Sequence, residues 1–364
     1  MITSVFQVLV KSQYRIEMDK ALNGKILSGH AFRNLTMKTI VGCFFSCLED
    51  CLCMSFQICQ NTECQLLSSN RFQSPSALHA MTGCSYYDMV PNSFGLTNSA
   101  SCTRIPECRK NPCQNGANYV SLTPTDYTTP RYKCLCSPGY AGNLCQYMVR
   151  SCRGYMNGNR VRGKYKVFDD DMNLFEVFCD FELNTTMTWT LVQSYEQRVK
   201  DTFKFKAYIV DFPIHQDSPR WDSYRLSKSR MQSIQDNSSK LRVTCKYDTD
   251  GLVYRDYLQV TKKEIDILTF KNRTQCPLVE LIDVRGQSCS NCTAFLTQWD
   301  YILHSDSFYA ANRNCQFRLT GGKRCTTLSG TYTEDNFGYY GCINTAHRCS
   351  SSETATTQTW LGSN

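Results

Sequence analysis

The feature that most constrains this chain is the crowding of half-cystines between Cys108 and Cys145, where it reads CRKNPCQNGANYVSLTPTDYTTPRYKCLCSPGYAGNLC. Cys108 and Cys113 are followed by the pair Cys134 and Cys136, and then by a stretch holding Pro138, Gly139 and Gly142 before Cys145. So short a segment leaves most of its surface wet and cannot bury a core large enough to fold alone. Bridges must supply the difference, each contributing roughly 2 to 4 kcal/mol by restricting the unfolded chain.

The same chemistry runs through all 364 residues, which contain 23 cysteines. That density points to an oxidising compartment, because cytosolic reductants would keep these thiols open. A zinc protein would need Cys-x2-Cys pairs with matching second halves, and only Cys289 and Cys292 have that spacing. Sequons at Asn34, Asn184, Asn237, Asn272 and Asn291 fit a secreted glycoprotein. No apolar run approaches the ~20 residues that a membrane span requires. Met1 to Val10 is apolar but lacks a basic start and a small-residue cleavage site, so a secretion signal is either upstream of this start or atypical. The net charge of +8 is modest and spread along the chain. It argues against an acidic calcium store, gives no reason to expect nucleic acid, and permits contact with anionic polysaccharides.

Within residues 1–90, Cys43, Cys47 and Cys51 step by four, and with Ile40, Phe44 and Leu48 they mark the face of a helix. This region resembles a PAN/apple domain through Ala21-Leu22, Gly29-His30, Cys43-x3-Cys47-x5-Cys53, Ser55-Phe56, Cys64-x-Leu66 and Tyr86-Tyr87. The resemblance implies bridges from Cys47 to Cys53 and from Cys43 to Cys64, with Cys51, Cys59 and Cys84 as extra cysteines. It also implies adhesion to proteins or carbohydrates. Residues 91–101, rich in Ser, Asn and Gly, read as a linker.

Residues 102–146 resemble an EGF-like module, which implies bridges from Cys113 to Cys134 and from Cys136 to Cys145. Tyr119 stands where the family's third cysteine is expected, so Cys108 is left to Cys102, to another module's odd cysteine such as Cys84, or to no partner. Glu107 is the single carboxylate ahead of the module, too little for a calcium ion that wants six to eight oxygens.

From Cys152 alternation dominates, and strands are expected at 188–195, 240–248, 252–260, 264–270 and 278–286. The one convincing helix spans 226–237, with Ser227 as cap and Leu226, Met231 and Ile234 on one face. The opening CRGYMNGNRVRGKYKVFDDDMNLFEVFCDFE followed by TWTLVQSYE resembles a fibrinogen-related C-terminal domain, assigned here to residues 151–350. That resemblance implies a bridge from Cys152 to Cys179. The aspartate-rich calcium loop and tryptophan-rich ending of that family are not visible. The remaining 351–364, continuing the SSSETATTQT run, reads as a flexible Ser/Thr-rich tail open to O-glycosylation. The expected fold class is therefore α+β with small disulfide-rich modules: a PAN/apple-like domain, an EGF-like module and a mostly-β fibrinogen-related domain. This module order is similar to that of secreted cnidarian proteins, including those of the skeletal organic matrix of stony corals, which implies a role in biomineralization.

Nothing in the sequence assembles a catalytic site. The histidines His30, His79, His215, His304 and His347 show no metal spacing, and neither a phosphate loop nor a Gly-x-Ser-x-Gly elbow occurs. Asp169, Asp170 and Asp171 read as a solvated turn. Cys289-x2-Cys292 has the spacing of a thiol oxidoreductase, but no βαβ pattern surrounds it, and structural half-cystines are expected. Arg160, Arg162, Lys164 and Lys166 would share one side of a strand and could track a polyanion. Thirteen cysteines precede Cys152, an odd number, so one thiol there is free, buried, or pairs with another chain as in a disulfide-linked dimer. The reading is a secreted, non-enzymatic adhesive or structural component of an extracellular matrix, with no cofactor or metal and with matrix proteins or anionic polysaccharides as partners. A soluble lectin-like protein and a secreted thiol oxidoreductase are the alternatives.

Overall fold

The computed structural model describes residues 14–17, 20–37, 39–91, 111–122, 130–158, 160–182, 185–272, 275–306, 314–319, 324–327, 330–333 and 335–364. The chain is mostly β with few helices, and it divides into two compact units. Residues 1–137 with 143–146 form the first, and residues 138–142 with 147–364 form the second.

In the first unit a five-stranded antiparallel sheet runs in the order Leu22–Leu27, Leu78–Asp88, Ser55–Cys59, Glu63–Leu67, Ala31–Thr36. The helix Ile40–Glu49 starts where the Thr39 hydroxyl accepts from the Gly42 amide, and it buries Cys43, Phe44, Cys47 and Leu48. Bridges from Cys43 to Cys64 and from Cys47 to Cys53 tie that face down. Cys59 and Cys84, opposite one another on adjacent strands, are also joined, so Cys84 is not available to Cys108. The helix ends before Cys51, which is buried and disulfide-bonded. A hairpin of Asn118–Ser121 and Tyr132–Leu135 belongs to the same unit, with bridges from Cys113 to Cys134 and from Cys136 to Cys145. Arg131, at the foot of that hairpin, is buried and donates to the carbonyls of Cys47, Leu48, Asp50 and Cys53. A helix end exposes such unpaired carbonyls and favours a cation there.

The second unit is organised by a nine-stranded antiparallel sheet. Its path runs Gly163–Phe168, Leu174–Phe181, Thr188–Glu196, Thr356–Ser363, Lys240–Cys245, Tyr257–Thr261, Leu278–Val284, Gln287–Thr293, and Ser223–Arg225 pairs on the side of Thr188–Glu196. The expected flexible tail is therefore a central strand, with every residue of Thr356–Ser363 buried. Several of its polar side chains find partners inside: Gln358 Oε1 accepts from the Thr244 hydroxyl and the Tyr247 amide, and Thr359 accepts from the Tyr208 hydroxyl. Burial removes Thr356, Thr357, Thr359 and Ser363 from O-glycosylation, whereas Ser351, Ser352 and Thr354 ahead of the strand stay at least partly exposed.

Two expected strands also change. Residues 264–270 form turns, with Asp266 accepting from the Leu268, Thr269 and Phe270 amides while Ile265, Ile267 and Leu268 point into the core. The strand expected at 252–260 begins only at Tyr257. The helix Lys228–Asp236 carries the expected Ser227 cap, whose side chain accepts from the Arg230 amide. Cys152 is joined to Cys179, Cys245 to Cys349, and Cys276 to Cys315. All but Pro91 of residues 91–101, read as linker, and the apolar start 1–10 lie outside the described residues.

Candidate functional site

One face of the large sheet carries a stack of aromatic rings around a cation. Trp189, Arg242 and Trp360 come from three neighbouring strands, with Arg242 directly opposite Trp360 and Trp189 opposite Gly362. The Arg242 guanidinium lies 4.4 Å from the Trp189 ring centroid and 4.7 Å from that of Trp360. It donates to Asp180 Oδ2 at 2.6 Å, and the arginine is 0% exposed. Gly362 permits the stack, since a Cβ there would sit 2.5 Å from the Trp189 ring. A cation held between ring faces is attracted by their negative π density, the more so without water.

Beside this stack opens a cleft of about 350 Å³ lined by Glu182, Trp189, Lys240, Tyr254, Gln259 and Glu280, among others. Hydrogen bonds fix its polar groups in sequence. Tyr257 donates to Gln259 Oε1 at 2.6 Å, Gln259 Nε2 to Glu280 Oε2 at 2.8 Å, and Lys240 Nζ to Glu280 Oε1 at 2.7 Å. Trp189 Nε1 donates to Glu182 Oε1 at 2.7 Å, and Thr185 to Glu182 Oε2 at 3.0 Å. Burial pushes the Tyr257 phenol well above its ordinary range, so it stays a neutral donor. Tyr254 stands at the rim, 55% exposed, held edge-on against Tyr257 with ring centroids 5.0 Å apart. None of these residues was singled out in the sequence as a site.

The four cations read as one strand side are not arranged so. The strand begins at Gly163, leaving Arg160 and Arg162 before it, and Arg160 Nε turns back onto the Met156 carbonyl. Lys164 and Lys166 do share the strand and are exposed, with Lys164 paired to Glu176 at 3.0 Å. Asp169 accepts from the Asn173 amide and faces Arg230, while Asp170 faces Arg150. Among the described residues no group of three or more His, Cys, Asp or Glu side chains could hold a metal ion.

The structure also brings together Asp256, His347 and Ser350. His347 Nε2 is 3.6 Å from Asp256 Oδ1, and its Nδ1 is 3.3 Å from the Ser350 hydroxyl. All three are 0% exposed, so the hydroxyl is out of reach of a substrate. Burial holds the His347 imidazole down at about 4. Asp256 instead accepts from the Arg285 and Arg348 amides, which makes it a fastening for two loops.

Of the sequons, Asn34, Asn237 and Asn291 are exposed and Asn184 lies outside the described residues. Asn272 is 4% exposed, and its Nδ2 donates to the Gln275 and Leu296 carbonyls. A glycan needs that nitrogen, so the site expected there is incompatible with this fold.

Twenty cysteines are disulfide-bonded, while Cys102, Cys108 and the side chain of Cys325 lie outside the described residues. Cys289 is joined to Cys292 within the single strand Gln287–Thr293, not at the head of a helix. Closed bridges at this density fit a disulfide-rich protein of the secretory compartment, and among the described residues no helix is long and apolar enough to cross a membrane. No protein-family model matches the chain. Over 62 residues, 17% of this chain, the sequence is 34% identical to human Fibulin-7, and the match takes in 13% of that protein.

Proposed function

We propose that this protein is a secreted, non-enzymatic adhesive or structural component of an extracellular matrix, built from PAN/apple-like, EGF-like and fibrinogen-related modules. The observation that carries the reading is the closure of twenty cysteines in a mostly-β chain. The partial likeness to Fibulin-7 agrees with it. The module order, similar to that of skeletal organic matrix proteins, makes such a matrix the first place to seek the protein. The odd cysteine number supports a covalent dimer.

The experiment is to locate the native protein with an antibody and to measure its retention on matrix extracted from the same tissue. Recovery in the insoluble matrix fraction and saturable retention are expected; a freely soluble protein that retains nothing would overturn the reading. An insulin-reduction assay addresses oxidoreductase activity, and turnover lost in Cys289→Ser would overturn the non-enzymatic part. The ordered cleft favours a second reading, a soluble lectin-like protein, which would bind glycans without entering the matrix.

A further inference from the structure

We infer that the cleft beside Trp189 and Tyr254 is a binding site for a neutral saccharide. The inference deepens the adhesive reading and rests on it for its biological setting. Small-ligand sites are typically concave, about 300 to 1,000 Å³, with an apolar wall and a few convergent polar groups. This cleft has that size, with Lys240, Gln259 and Glu280 on three neighbouring strands of one sheet and the exposed Tyr254 on the segment leading into Tyr257–Thr261.

The polar groups retain capacity that matches hydroxyls. A carboxylate only accepts, an ammonium only donates, and an amide does both. Each oxygen of Glu280 takes one bond within the site and keeps a second lone pair. Lys240 Nζ and Gln259 Nε2 have each spent one proton on Glu280 and hold further protons. Glu182 is similarly occupied on one lone pair of each oxygen, by Trp189 and Thr185. A hydroxyl both donates and accepts, so neighbouring hydroxyls on a sugar ring can bridge these acceptors and donors. Their spacing needs little reordering on binding, because Glu182, Lys240, Gln259 and Glu280 are each already held by another side chain. The Tyr254 ring, exposed at the rim and braced by Tyr257, offers an apolar face to the C–H side of the same sugar.

Charge selects against the polyanions that the basic run suggested. Glu182 and Glu280 both line the cleft, and its one lining cation, Lys240, is paired with Glu280. A sulfate or carboxylate entering here would meet two carboxylates and lose its hydration without a free cation to replace it.

The test uses the full chain on an array of neutral hexose and N-acetylhexosamine oligosaccharides, with heparin as the sulfated arm. Retention on at least one neutral structure is expected, falling about tenfold or more in Tyr254→Ala, a change of roughly 1.4 kcal/mol. Glu280→Gln keeps the shape but removes the charge paired with Lys240, and should also weaken retention. Thermal unfolding identical to wild type shows that the Tyr254→Ala rim variant is folded. No retention on neutral glycans, retention on heparin alone, or equal retention of wild type and Tyr254→Ala would each overturn the assignment. Matrix retention measured on the same samples separates the two claims. A protein that holds to matrix but to no glycan ends the saccharide site and leaves the adhesive reading, whereas failure on matrix ends the latter.

Discussion

The first unit packs its helix onto its sheet through a cluster of eleven buried residues, four of them the half-cystines Cys43, Cys47, Cys53 and Cys64. Among the described residues the second buries forty-four in one continuous core, of which six are cysteines, and Trp189 and Trp360 of that core flank Arg242. Both sequences are rich in cysteine, yet the bridges do different work. In a small unit the bridge sulfurs are a large part of the apolar contact and also limit the unfolded chain; in a large one, packing carries most of the stability and bridges trim it. The difference teaches that cysteine spacing reports architecture best where the core is smallest.

The comparison can be broken at the arginine. Arg242→Ala removes the partner of Asp180 and leaves a void between two indoles, so a loss of about 3 to 5 kcal/mol is expected. Urea unfolding followed by tryptophan fluorescence would measure it, since Trp189 and Trp360 flank the site. A loss of under about 1 kcal/mol would mean that the stack is not a structural element of the second unit.

Bridge removal sharpens the contrast. Replacing Cys43 and Cys64 together by alanine opens a loop spanning a sequence separation of 21 and should cost about 3 kcal/mol by chain entropy, plus lost packing. Replacing Cys289 and Cys292, only three apart in sequence, should cost about 2 kcal/mol or less. The first double variant is expected to lose amide protection throughout its helix, and the second only around its own strand, as read by hydrogen exchange. Equal and global effects would contradict the assigned division of labour.

Acid provides a third lever, acting in the second unit through His347. Burial holds His347 down at about 4, against an ordinary value of 6.5. The unfolded chain therefore binds a proton that the folded one refuses between these values, so stability is full above about 6.5 and falls as the pH drops toward 4. The fall should be of order 3 kcal/mol from this group, and burial lowers His304 in the same direction. His347→Gln should flatten that part of the stability curve, measured by urea unfolding at a series of pH values. An unchanged slope would show that the imidazole is solvated.

Much of the first unit was legible in its sequence, because Cys43-x3-Cys47-x5-Cys53 and Cys64 resemble a known stapling pattern and helix spacing fixes which faces meet. Thr188–Glu196 was legible through its alternation. Thr356–Ser363 was not, although threonine favours strands. Buried Thr, Gln and Ser look like a solvated tail until Thr244 and Tyr247 are seen to bond Gln358 Oε1, and Tyr208 to bond Thr359. Residues 264–270 misled in the opposite way, since alternation around Asp266 arises from turns that bury Ile265, Ile267 and Leu268. The cleft was invisible because Trp189, Lys240, Gln259 and Glu280 are spread over four strands whose neighbours are set by topology, with Glu182 and Tyr254 just outside them. Only the pairing of Trp189 and Lys240 with Gly362, and of Gln259 with Arg242 and Leu281, brings them together. Arg131 was missed for the same reason, as its partners are carbonyls that no side-chain pattern reveals.

Non-reducing peptide mapping of protein extracted from its natural source tests most directly whether the chain is a closed-disulfide protein of an oxidising compartment. The account predicts peptides joined from Cys43 to Cys64, Cys47 to Cys53, Cys113 to Cys134, Cys136 to Cys145 and Cys152 to Cys179, with Cys289 and Cys292 closed on each other. Alkylatable thiols at these positions in the native material, Cys289 and Cys292 above all, would contradict it.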